Sequence, residues 1–214
     1  MAAVGTALAI RVVRSRRRRF LHPSGRSFAG RADLNAALLT PGRYRATVRL
    51  SKGVGTRGGR LDVRGLGVRV HLPDRDLDLL FSTSGAGRFT RHLPLLRRSF
   101  DTTYGTITAY RTGSGEKVNL TARPDPDGPL LGRTLADLAP GDRVVLEVRR
   151  DRAVETFGRV TLGRPLPAEK DAALAFNAVL NSSPSLHPTG LIHGVRTYAY
   201  QVSQRWRGVT GHPA

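Results

Sequence analysis

Strand-like alternation of apolar and polar residues dominates the middle of the chain. In residues 44–51, alanine, valine and leucine alternate with arginine and threonine, which is the two-residue period of a strand with one buried face. The same period recurs in residues 61–72 and 77–84, and glycine-rich or Pro-Asp connections between these stretches fit hairpins. Further strands are predicted at 105–112, 116–123, 143–150 and 154–163. Many strands joined by turns indicate an antiparallel β-barrel.

Helical patterns are confined to the flanks of this strand-rich region. Residues 196–207 contain neither glycine nor proline and follow Pro188, Gly190 and Gly194, which predicts a C-terminal helix. Shorter helices are predicted at 1–13, 129–138 and 168–176, and residues 88–100 are predicted as a short helix or an irregular segment. The predicted fold class is therefore α+β, an antiparallel barrel with appended helices. No repeat or linker divides the chain, so residues 1–214 form one domain with residues 1–18 as a basic arm or helix.

Composition narrows the function less than the charge first indicates. The formal net charge is +19, yet only three of the 35 basic residues are lysines, a bias that GC-rich coding produces without selection for charge. Nucleic-acid binding through the arginine run 14–19 therefore stays only as an alternative. The absence of cysteine excludes disulfides and thiolate metal sites. No apolar run reaches the roughly 18 residues of a membrane span, and the arginine run lacks the apolar stretch of an export signal. We therefore predict a cytoplasmic protein without a membrane partner.

The C-terminal helix carries an unusual polar stripe. At about 100° per residue, Arg196, Tyr200, Gln204 and Arg207 fall on one side of it. A neighbouring guanidinium and a trivalent metal both favour the phenolate form of a tyrosine, and tyrosinate is a known axial ligand of haem iron. The stripe indicates a flat, metallated ligand with an anionic rim. A surface helix with a half-buried tyrosine is the alternative.

This stripe resembles the proximal haem helix of haem-dependent (monofunctional) catalases. The shared pattern is Arg196-x-x-x-Tyr200 followed by Arg207 seven residues later. The resemblance implies that Tyr200 ligates the iron of haem b. It also implies that Arg196 supports the phenolate and that Arg207 pairs with a haem propionate.

The N-terminal region resembles the distal segment of the same family. Arg19 stands three residues before His22, and Arg49-Leu-Ser51 follows on a predicted strand. The resemblance makes His22 the distal acid/base, Ser51 its hydrogen-bond partner, and Arg19 and Arg49 further propionate partners. A hydroxyl on one imidazole nitrogen fixes the tautomer and leaves the other nitrogen for proton transfer. The alternatives are a solvent-exposed histidine and a solvent-facing strand edge.

The resemblance continues in chain order and covers roughly residues 16–210, with departures. Ser82, or the adjacent Thr83, stands where the family has a distal asparagine, and a hydroxyl reaches less far than an amide. The chain is also less than half the length of a usual catalase. Without the family's wrapping arm and C-terminal domain, a more open site is expected, which would admit organic reductants or larger hydroperoxides.

The sequence therefore predicts a haem b peroxidase on a catalase-like barrel, with weak peroxide dismutation beside it. Its expected partners are peroxide and a small organic donor, and a homodimer is compatible with the sequence. The nearest alternative is rearrangement or dehydration of an organic hydroperoxide, or a biosynthetic tailoring oxidation. A non-enzymatic basic protein that binds nucleic acid is the second alternative.

Overall fold

The computed structural model describes residues 22–84, 93–151 and 153–189. Within these residues the chain forms strands joined mostly by short turns and one short helix. The strands are β1 (Ser24–Leu34), β2 (Gly42–Lys52), β3 (Asp62–His71), β4 (Asp76–Ser82), β5 (Leu96–Arg97), β6 (Tyr104–Gly105), β7 (Ala109–Thr112), β8 (Lys117–Pro124), β9 (Arg143–Arg150), β10 (Ala153–Pro165) and β11 (Leu186–Thr189). The helix, α1, spans Ala168–Ala173.

Eight of these strands close into an antiparallel barrel. Their order is β8-β6-β4-β3-β2-β1-β10-β9, and β9 pairs again with β8. Closure leaves none of these eight strands as a free sheet edge, which removes a template for pairing with other chains. β7 and β11 extend the wall beyond β8, and β5 pairs with the start of β3.

The barrel interior is filled by the apolar positions of the alternating strands. Because successive side chains point to opposite faces, one set from each strand meets inside. The inward residues with no exposed surface are aliphatic or aromatic and include Phe28, Val48, Val68, Leu79, Leu120, Val148 and Val160. Full burial of such a side chain contributes about 1.5–3 kcal/mol, so this interior supplies the main stabilisation of the fold.

The outer face of β3 and β4 is polar and is covered by the segment after α1. Asp78 is fully buried there and forms a two-point ion pair with Arg69, at 2.7 and 2.8 Å. The backbone N–H of Asn177 and the side-chain amide of Asn181 donate to the same carboxylate at 2.7 and 2.9 Å. A single buried carboxylate thus ties the covering segment to the barrel wall.

The barrel and most of its strands confirm the expectation from the alternating pattern. Three strands were not predicted: β1, whose two glycines weaken its strand signal, β5, which lies within residues 88–100, and β11, which contains Pro188. The helix predicted at 168–176 is present as α1. The helices predicted at 1–13 and 196–207 lie outside the described residues. No helix in the described part of the chain is long and apolar enough to cross a membrane.

The prediction of a helix at 129–138 is wrong, and side-chain capping explains the loop found there. The carboxylate of Asp101 accepts the backbone N–H groups of Leu131 and Gly132, at 2.6 and 3.0 Å. Gly132 has φ 80°, a conformation that ends a helix. Asp137 then accepts two further backbone N–H groups, so the amides are satisfied without helical hydrogen bonds.

Asp78→Ala should destabilise the protein by about 3–5 kcal/mol, because it removes the two-point partner of the Arg69 guanidinium and the acceptor of the Asn177 and Asn181 N–H groups. Asp76→Ala is the matched control, since Asp76 lies 3.6 Å from the same guanidinium but has a side chain that is 37% exposed. That substitution should cost less than about 1 kcal/mol. Denaturant unfolding of the two variants measures the difference, and equal losses would contradict the assignment of Asp78 as the tie.

Candidate active site

A row of small residues crosses the outer wall of the barrel. Strand pairing sets Gly25 beside Ser51, Ser51 beside Gly65, Gly65 beside Ser82, and Ser82 beside Gly105. Directly paired residues of neighbouring strands project on the same face of a sheet. We call these five residues the glycine–serine row. Because they have short or no side chains, they leave room against the wall for another group.

The imidazole of His22 occupies part of this room. Its ring lies over Gly65, where a Cβ atom would stand only 2.5 Å from Cε1 and 2.6 Å from Nδ1 of the imidazole. The Nδ1 atom is 3.0 Å from the Ser51 hydroxyl oxygen. The backbone of His22 has φ 57°, a conformation rare for residues other than glycine and often found at functional sites.

The hydrogen bonds around Ser51 select one tautomer of His22. The Ser51 hydroxyl donates to the Gly65 carbonyl at 3.4 Å. Its oxygen then accepts the N–H of Nδ1, so that both contacts are satisfied at once. In this tautomer the lone pair is on Nε2, a nitrogen that can take up a proton.

Ser82 lies on the other side of Gly65 from Ser51. It is 7% exposed, and its hydroxyl oxygen is buried with no hydrogen-bond partner in the residues that the structure describes. Thr83 is committed elsewhere, since its hydroxyl donates to the Leu95 carbonyl at 2.6 Å and accepts the Arg64 N–H at 3.0 Å. A buried hydroxyl without a partner loses free energy unless a ligand or water bonds it.

Arg49 is a charged residue close to the His22–Ser51 pair. It precedes Ser51 by two residues on the same face of β2, and its side chain is only 7% exposed. A Cβ atom at Gly25 would stand 2.5 Å from its guanidinium, so the missing side chain at position 25 makes room for it. Asp171 of α1 pairs with the guanidinium, and the Ser27 hydroxyl accepts from it at 3.4 Å. No pattern in the sequence predicted that Asp171 would pair with Arg49.

Buried charges fix the loop that carries Gly53, whose carbonyl accepts the backbone N–H of His22 at 3.3 Å. Burial works to raise the pKa of Asp62, but hydrogen bonds from Val54 and Thr56 outweigh it and lower that pKa. Burial also lowers the pKa of the Lys52 ammonium, with the nearby Arg64 acting in the same direction. The loop beside His22 is therefore held by charge as well as by backbone pairing.

The structure brings three of the candidate residues, His22, Ser51 and Ser82, together around Gly65, with Arg49 beside them. Arg19, Arg196, Tyr200 and Arg207 lie outside the described residues. Among the described residues, no group of three or more His, Cys, Asp or Glu side chains could hold a metal ion. The residues present fit the distal side of a haem. They offer a histidine with a fixed tautomer, a buried hydroxyl without a partner and a buried arginine for an anionic rim.

Comparison with known proteins adds no relative to this picture. No protein-family model matches the sequence, and no curated protein is significantly similar to it. The function of the protein is therefore inferred from the chemistry of the site.

Gly65→Ala should break the hydrogen bond between His22 and Ser51, because the added Cβ would overlap the imidazole. Gly67→Ala is the control on the same strand, where the added Cβ would meet only the Phe176 ring at an ordinary 3.4 Å. Nitrogen-15 NMR of the histidine side chains reports the tautomer of His22. The first variant should shift the His22 signals and the second should not. Unchanged signals in Gly65→Ala would show that the ring does not lie over position 65.

Proposed function

We propose that this protein is a haem b peroxidase that uses hydrogen peroxide or an organic hydroperoxide to oxidise small organic donors. The observation that carries the proposal is the His22–Ser51 pair over Gly65. On the other side of Gly65 lies the buried Ser82 hydroxyl, which has no partner among the described residues. An imidazole with one nitrogen fixed by a hydroxyl, set against a glycine platform, is suited to general acid/base catalysis on a small substrate. The resemblance to catalases supplies the cofactor.

Haem held by these residues would supply the iron chemistry that cleaves the peroxide O–O bond. His22 takes the proton from the peroxide O–H at Nε2 and returns it to the oxygen that leaves as water or an alcohol. Ser51 keeps the ring in the tautomer that allows both transfers. Ser82 donates a hydrogen bond to the substrate, which also relieves the cost of its buried hydroxyl.

The remaining residues hold the cofactor in this proposal. Arg49, already buried and oriented by Gly25 and Asp171, pairs with a propionate, and the resemblance assigns Arg19 and Arg207 the same task. By the resemblance, Tyr200 would hold the haem iron and Arg196 would support its phenolate. Arginine suits this role because its planar guanidinium binds a carboxylate at two points and stays charged.

The test begins with the visible spectrum of the purified protein after haemin is added. We expect a bound-haem spectrum that Tyr200→Phe abolishes or rearranges. His22→Ala should retain haem and lower kcat/KM for peroxide, measured with a phenolic donor, by about 100-fold to 10,000-fold. Ser51→Ala should cause a smaller loss in the same assay, because it frees the tautomer without removing the base.

His71→Ala is the matched control for these variants. His71 also bonds a hydroxyl and sits on the outer wall, but its two ring nitrogens contact Thr47 at 3.0 Å and Asp76 at 2.7 Å. This substitution should leave peroxide turnover unchanged. A protein that stays colourless with haemin would refute the cofactor assignment, and full turnover in His22→Ala would remove that residue from the mechanism. Conversion of an organic hydroperoxide without consumption of the donor would favour rearrangement instead.

A further inference from the structure

One end of the barrel collects exposed arginines that have no acidic partner. They lie in the loop between β2 and β3, on and after β5, and in the loop before β9, and they are Arg57, Arg60, Arg97, Arg98 and Arg133. None of the five takes part in an ion pair with a described residue, whereas Arg43 and Arg75, exposed elsewhere, pair with aspartates. Arg45 and Arg111 are also exposed and take part in no ion pair with a described residue, but they lie apart from each other on β2 and β7. We call this set the arginine end.

The backbones of three of these arginines are hydrogen-bonded to one buried residue. Arg64 has no exposed surface, and its Nη2 atom donates to the carbonyls of Arg60, Arg98 and Arg133, at 3.2, 2.7 and 3.3 Å. The three backbones are therefore within about twice a hydrogen-bond length of one another. A single inward guanidinium thus builds a rim whose own side chains point to solvent with like charge.

The acidic residues near this rim do not neutralise it. Asp62 is buried and accepts from the loop amides of Val54 and Thr56. Asp101 and Asp137 accept backbone N–H groups of the loop before β9. Their hydrogen bonds go to backbone amides rather than to the arginine side chains. Three aspartates stand beside five exposed arginines and the buried Arg64, so the arginine end keeps a net positive charge.

Exposed aliphatic side chains occur on the same loop and the same strand as these arginines. Val54, Leu61 and Leu96 are 48%, 44% and 52% exposed. Strand pairing places Leu96 opposite Val63 and Arg97 opposite Asp62, so Leu96 adjoins the loop that carries Arg60 and Leu61. Apolar groups exposed next to each other mark an interaction surface more often than isolated ones do.

We propose that the arginine end is a docking surface for an anionic membrane surface. Guanidinium groups pair with lipid phosphates, and the aliphatic side chains enter the boundary between headgroups and acyl chains. Nucleic acid fits less well, because it would leave the aliphatic groups in water and because the aromatic residues described at this end, Phe100 and Tyr104, are fully buried and cannot stack on bases.

This surface needs no membrane span, so it is compatible with the lack of one in the described chain. It goes beyond the expectation from the sequence, which named no membrane partner. Gly53, beside the His22 ring, opens the loop that carries Val54 and Leu61. Docking of the arginine end would bring the candidate site close to the lipid surface.

The experiment is co-sedimentation of the full-length protein with vesicles of phosphatidylcholine alone or with one quarter phosphatidylglycerol. We expect binding only to the anionic vesicles, weakened by salt. R57Q/R60Q/R97Q should lower the partition coefficient about 100-fold, since each basic residue near an anionic surface contributes about fivefold. L61S/L96S should lower it about tenfold or more through the lost apolar contact.

The controls carry the same chemical changes elsewhere on the barrel. R45Q/R111Q/K117Q removes equal charge from exposed positions on β2, β7 and β8, and V154S/L180S removes exposed apolar side chains. Both controls should bind as the unmodified protein does. Equal binding of R57Q/R60Q/R97Q and its control would overturn the proposal, as would binding to neutral vesicles. Binding of duplex or single-stranded nucleic acid that depends on the same arginines, without vesicle binding, would overturn it in favour of a nucleic-acid surface.

Discussion

The candidate site depends on the missing side chain at position 65. The imidazole of His22 occupies the volume that a Cβ atom would fill there, and from that place it reaches the Ser51 hydroxyl at 3.0 Å. Gly25 does the same for the Arg49 guanidinium. A barrel wall of ordinary pleated strands would push both groups outward. Glycine lowers strand propensity, but at these two positions it makes room for the side chains of His22 and Arg49.

The inner face of the barrel strands carries the apolar core, and the outer face carries the buried polar residues of the candidate site. Aliphatic and aromatic side chains fill the interior, so the fold does not depend on the polar groups outside. The outer face of β2 to β4 can therefore hold buried polar groups at Arg49, Asp78 and Ser82. Two of these are satisfied by the segment that follows β10, through Asp171 and Asn177. The Ser82 hydroxyl has no hydrogen-bond partner among the described residues.

Buried charge also organises the barrel end. Arg64 is held by three backbone carbonyls and by the Phe100 ring at 4.6 Å, and burial lowers the pKa of its guanidinium. Its hydrogen bonds go to backbone carbonyls, and the charge of the nearby Asp62 works against the effect of burial by favouring the charged guanidinium. The proposed catalytic wall and the proposed docking end share the loop that starts at Gly53. The same buried groups, Lys52, Asp62 and Arg64, shape both.

The sequence by itself determined the strands of the barrel, because alternation marks one apolar face on each of them, and it proposed His22 with Ser51 through the resemblance to catalases. Their separation of 29 residues hides the contact, which only strand register creates. Only the tertiary structure decided that Gly65 lies under the imidazole, that the Ser82 hydroxyl rather than that of Thr83 has no partner among the described residues, and that Asp171 pairs with Arg49. Local pattern encodes which face is apolar, whereas register and the return of a distant segment depend on the packing of the whole barrel.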